Sequence, residues 1–198
     1  MGFTTPQKTI FGLSLAYVAA FTVYYISIRN FEFLWYVVIL LFFAWLIGST
    51  LKTTKFPHGL LGGLSLWGLL HMAGGGIKVS GQVLYKFVIY PFIDKGGEFV
   101  ILKFDQFVHF YGFFITTLVM LHLLKARLSP KVSWKFRAFV AASAGLGLSA
   151  LNEIVEFIAV LAIPQTNVGG YFNTGFDLMF NLGGCLFAVI VDTLLRKN

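Results

Sequence analysis

Residues Phe104–Tyr111 read FDQFVHFY, and they open an apolar segment that runs to Leu124 without another Asp, Glu, Lys or Arg. Asp105 and His109 stand one helical turn apart, so a helix places both on one face. A carboxylate and an imidazole at the mouth of such a segment are costly unless other polar groups meet them. Working outward, the chain offers partners in His71, in Glu153 and Glu156 with Asn152, and in Asp177 with Asn181. The expectation is a membrane bundle closed around one polar intramembrane site.

Composition agrees. Of 198 residues, 58% are hydrophobic and only 12% charged, against about 25% charged in a soluble domain. Apolar runs approach the length of about 20 residues that crosses a bilayer. The expected fold class is an all-α integral membrane protein, a single polytopic domain over residues 1–198. Its six spans are placed at about 9–28, 33–51, 58–77, 105–124, 136–163 and 175–195. The net charge of +7 lies mainly in short loops. It therefore reads as a topology signal and contact with anionic lipid, not as a nucleic-acid surface. Cys185 is the single cysteine, which excludes an intrachain disulfide and a cysteine metal cluster.

Small and polar residues recur at helical spacing in the later spans. Asp105, His109, Gly112 and Thr116 form one stripe; Ala142, Gly145, Ser149, Asn152 and Glu156 a second; Asp177, Asn181, Gly184 and Ala188 a third. Such stripes let membrane helices approach closely. The glycines of the third span read as packing positions, and Gly74–Gly76 as a helix end. Between the third and fourth spans, Lys78–Lys103 carries two β-prone runs, Val83–Tyr90 and Glu98–Phe104, around the turn signal Asp94-Lys95-Gly96-Gly97. This predicts an extracytoplasmic hairpin or re-entrant flap, with Pro91 limiting the first run to an edge strand or a shorter one. Pro164–Thr174 reads as an uncharged loop.

Lysines and arginines number ten on the side of the termini and five on the other. The positive-inside rule places both termini in the cytoplasm. His71, Asp105, His109, Glu153, Glu156, Asp177 and Asn181 then all fall in the outer half of the bundle. His58 and His122 sit near the opposite helix ends and read as interfacial.

A cluster of carboxylates needs neutralising, by a bound cation, by shared protons or by protonated histidines. His71, Asp105, His109, Glu153, Glu156 and Asp177 are candidate ligands for a divalent metal. Two imidazoles with carboxylate oxygens suit zinc, iron or manganese. Glu153 and Glu156, three residues apart, are candidates for bridging ligands or for a ligand and a general base. Asn152 and Asn181 would support them by hydrogen bonds. Proton-linked binding and a purely structural lock between helices remain open alternatives. No Gly-x-Ser-x-Gly, Walker loop or Cys–His pair is present, which argues against nucleotide hydrolysis and serine or cysteine catalysis.

The order Asp-x-x-x-His-Phe at 105–110, Glu-x-x-Glu at 153–156 and Asp-x-x-x-Asn-x-x-Gly at 177–184 resembles VanZ-like membrane proteins. His71–Gly75 and Asn152–Phe157 are closer to the YjdF-like branch of unknown function. The chain departs from these patterns in having Glu156 where VanZ-like proteins often carry Gln, and Asn173 before Asp177. The resemblance implies a role in the cell envelope of a bacterium or archaeon. Three functions compete: a metal-dependent enzyme acting on a lipid or amphiphile, a proton-linked binding or transport protein, and an accessory subunit. Expected partners are membrane lipids, an amphiphilic ligand, and further copies of the chain or a larger membrane complex.

Overall fold

The computed structural model of the chain describes residues 2–196 apart from 98, 164, 165 and 167. It contains six long helices: α1 Thr5–Ser27, α2 Phe31–Thr54, α3 His58–Gly76, α4 Phe104–Arg127, α5 Trp134–Ala162 and α6 Tyr171–Leu195. Most begin or end beyond the apolar stretches expected from sequence, because capping residues and not hydropathy set a helix end. Thr4 and Gln7 form a capping box on α1. Asn30 accepts from the Phe33 amide at 3.1 Å, and Ser133 caps α5.

Side-chain contacts define the helix directions. Thr4, Ser14 and Tyr25 of α1 meet His58, Ser65 and the Met72 carbonyl of α3 in the same order, so these two helices run parallel. Asp105, His109 and Phe113 of α4 similarly track Asn173, Asn181 and Cys185 of α6. Sequence neighbours run antiparallel, as with Phe33 against Gly75 across α2 and α3. The α4–α6 contact is the most extensive in the bundle. It is close because Gly184 rests directly on the Phe110 backbone.

Much of the outer surface is apolar: Leu13, Val23, Trp45, Phe139 and Leu161 are all exposed. That pattern suits lipid as solvent. Five helices are long and apolar enough to cross a membrane; α3 is not among them. It has 19 residues, about 28 Å at helical rise, so composition and not length sets it apart. His58, His71 and its glycines dilute its apolar character.

Between α3 and α4 the chain is largely β structure. β1 (Lys78–Val79) pairs antiparallel with β2 (Gln82–Val83). A 3-10 turn follows at Leu84–Lys86, then β3 (Val88–Asp94) pairs antiparallel with β4 (Val100–Lys103). The expected run Val83–Tyr90 is therefore not one strand, since the 3-10 turn interrupts it. Pro91 lies inside β3, where the pairing is irregular between Val88 and Ile93, as an edge strand permits. The turn after β3 is fixed by the Gly96 amide donating to Asp94 Oδ1 at 2.9 Å. Of the expected Glu98–Phe104 strand, residue 98 lies outside the described residues.

The step from β4 into α4 is held by one side chain. Leu102 has φ +86°, a conformation uncommon for a branched residue. Buried Gln106 accepts from the amides of Leu102 and Lys103 at 3.2 and 3.0 Å and donates to the Val100 carbonyl at 3.1 Å. This junction sets Lys103 and Asp105 in place.

Candidate functional site

Three helices bring the polar residues together. α4 supplies Asp105 and His109 on successive turns, and α5 supplies Asn152, Glu153 and Glu156. α6 supplies Asn173, Asp177 and Asn181, again one turn apart. His109 is the hub. Its Nε2 lies 3.7 Å from Asp105 Oδ1 and 3.7 Å from Glu156 Oε1. Its Nδ1 lies 3.5 Å from Glu153 Oε1 and 3.1 Å from Asn181 Oδ1. Ligand-type atoms of Asp105, His109 and Asp177 fall within 4.8 Å of one another, and so do those of His109, Glu153 and Glu156.

Amides hold the carboxylates apart. Asn181 Nδ2 donates to Glu153 at 3.3 Å, and Asn152 Nδ2 donates to Glu156 at 2.8 Å. Asn173 Nδ2 bridges Asp105 and Asp177. Asp177 is fully buried, and among the described residues its Oδ1 has no hydrogen-bond partner. Lys103 Nζ donates to Asn173 Oδ1 at 2.7 Å, so an ammonium stands at the edge of the cluster. The carboxyl groups of Asp105, Glu153, Glu156 and Asp177 outnumber the basic groups of His109 and Lys103 by two.

A cavity of about 30 Å³ opens beside the hub, walled by Asp105, His109, Glu156, Asn173, His71, Tyr36 and Glu32 among others. That volume suits an ion or a water molecule. His71 is on this wall but outside both ligand groups. Its Nδ1 is 2.6 Å from the Tyr85 hydroxyl, and its ring packs among Phe33, Tyr36 and Trp67. Burial, with the nearby Asp105 and Glu156 carboxylates, pushes the Tyr85 hydroxyl well above its usual range and keeps it a donor. Gly74 gives the Tyr85 ring its seat on α3. Tyr85→Phe leaves a half-buried imidazole nitrogen without this partner, so stability should fall by about 1 kcal/mol. Thermal unfolding, followed by reaction of the buried Cys185 thiol, reads that loss directly.

Four contributors were not singled out from sequence. The sequence pattern puts Asn173 in the Pro164–Thr174 loop, but α6 begins at Tyr171. Extending the Asp177–Asn181 stripe back one turn would have found it. Of that loop, residues 164, 165 and 167 lie outside the described residues. Glu32 and Tyr85 sit near helix or turn ends, and Lys103 reaches the site from a strand end; only the tertiary structure brings them together. At the opposite end of the bundle, His58 contacts Thr4 at 3.3 Å and His122 contacts the Thr54 carbonyl at 2.8 Å.

Apolar helices that expose their greasy faces and bury their acids together define an integral, polytopic membrane protein with an internal His/carboxylate group able to bind a metal. The chain belongs to the family described as predicted membrane protein (DUF2238), which it matches over residues 9–198. No curated protein and no solved structure matches it.

Proposed function

We propose that this protein is a metal-dependent membrane enzyme acting on a lipid or amphiphile of the cell envelope, with a divalent cation held beside His109. The observation that carries the reading is the ring of Asp105, Glu153, Glu156 and Asp177 around one imidazole, four carboxyl groups against two basic groups, with an Asp177 oxygen unpartnered among the described residues. One nitrogen and several carboxylate oxygens suit zinc, iron or manganese. With Nδ1 of His109 donating to Asn181, Nε2 faces Asp105 and Glu156 as a free donor atom, the usual division between ligand and supporting hydrogen bond.

A bound cation would polarise an ester or phosphoryl oxygen and lower the pKa of water. Glu156 walls the cavity and is the general base in this reading; Glu153 fixes His109 and Asn181. The parallel packing of α3 with α1 supports α3 as a sixth span, with both termini cytoplasmic by the positive-inside count. The similarity to VanZ-like proteins and their YjdF-like branch supports an outward-facing site in a bacterial or archaeal membrane.

Elemental analysis of detergent-purified protein, prepared without chelator, tests the reading. About one or two equivalents of zinc, iron or manganese are expected, with a clear loss in Glu153→Ala. The small cavity favours a second reading, in which the carboxylates share protons and bind a ligand without metal. A well-folded wild type free of metal would overturn the first reading and favour that alternative.

A further inference from the structure

We propose that a groove between α2 and α5 holds the alkyl chain of a membrane amphiphile whose polar head points to the cation site. The groove measures about 340 Å³, within the range of about 300–1,000 Å³ typical of small-molecule pockets. Phe31, Leu34, Trp35 and Val38 form one wall, and Ile158 and Ala162 form part of the other. Both walls belong to helices long and apolar enough to cross a bilayer. The medium at that depth is lipid, so an alkyl chain is the occupant its chemistry selects.

The groove and the polar cavity share the same two helix ends. On α2, Phe31, Leu34 and Trp35 face the groove, while Glu32, Phe33 and Tyr36 face the cavity. On α5, Glu156 faces the cavity and Ile158 and Ala159 face the groove. From Phe31 to Val38 the groove follows α2 for about 10 Å. The cavity of about 30 Å³ has room for oxygen atoms of a head but none for a chain. The two spaces therefore divide an amphiphile between them, chain outside and head inside. The destination of the head rests on the cation reading above; the groove itself does not.

The test uses the full chain, delipidated in detergent, with dodecyl phosphate as probe and native mass spectrometry as readout. One dodecyl phosphate should be retained per chain. Ala162→Trp and Val38→Trp fill the groove from opposite walls, at positions exposed on the bundle surface. Each should lower retention at least about tenfold, a loss of about 1.4 kcal/mol, with unchanged thermal unfolding and cation content. Equal retention in wild type and both variants overturns the groove, as does no retention by wild type or a stable dimer that seals this face. Groove-dependent retention in a protein free of metal upholds the groove and overturns the cation reading.

Discussion

Gly184→Ala is expected to separate α4 from α6 and take the polar site apart. A Cβ at this position meets the Phe110 carbonyl oxygen and stands 2.9 Å from the Phe114 amide nitrogen. Both are backbone atoms of α4, so no rotamer change relieves the clash. The helices must part, and Gly184 is only one turn from Asn181, which contacts both His109 and Glu153. The cost should reach or exceed the upper end of the roughly 1–3 kcal/mol seen for overpacked cores, and Gly184→Leu should not yield folded protein. Gly147→Ala is the control, because nothing lies within 4 Å of a Cβ there. A helical glycine replaced by alanine in open space gains about 0.5–1 kcal/mol. Similar unfolding temperatures for the two alanine variants would sink the argument that backbone contact at Gly184 sets the site.

His109→Ala should abolish cation binding while leaving the helices assembled at low temperature. His109 belongs to both ligand groups, so its loss weakens every arrangement of the site. Affinity should drop by more than the roughly 10–100-fold that follows loss of an outer hydrogen bond. Asp105, Glu153, Glu156 and Asp177 are then left facing one another with Lys103 beyond Asn173. Removing one member of a buried charged group costs about 3–5 kcal/mol. Adding Asp177→Asn removes one of the opposing carboxylates and should recover part of that stability without restoring metal. Metal content and thermal unfolding of the single and double variants check both halves. Full metal occupancy in His109→Ala would show that the imidazole is not a ligand.

Much of this was legible because membrane helices announce themselves. Asp105 and His109, Glu153 and Glu156, and Asp177 and Asn181 each share a helix face by spacing alone, and polar residues in apolar segments seek one another. Most glycines read as packing positions do pack, as Gly75 does under the Phe33 ring and Gly145 against Thr117, whereas nothing lies within 4 Å of a Cβ at Gly62. Spacing did not show which member of a stripe faces inward after several turns. Spacing from Asp105 puts Thr116 on the inner face, whereas Thr117 is the fully buried threonine, because a 3.6-residue turn drifts between spacings of three and four. Nor did it show His71 turned toward Tyr85 instead of His109. That orientation depends on the 3-10 turn after β2, which no periodicity marks. Lys103 reaches Asn173 only because Gln106 holds a left-handed Leu102 in place.

The glycine-rich make-up of α3 bears on how the protein is made. A segment leaving the ribosome is offered to lipid on its own composition. On that measure α1 and α2 are long apolar runs, whereas α3 sets seven glycines and two histidines among its leucines. Three of its hydrogen-bond partners, Ser14, Tyr17 and Tyr25, lie on α1, which is synthesised first, whereas Tyr85 and Tyr111 come later. Counted as a sixth span, α3 would enter against a helix made two segments earlier. Damage to this α1 edge would surface first as failed insertion and proteolysis during biogenesis, upstream of any defect in the finished molecule.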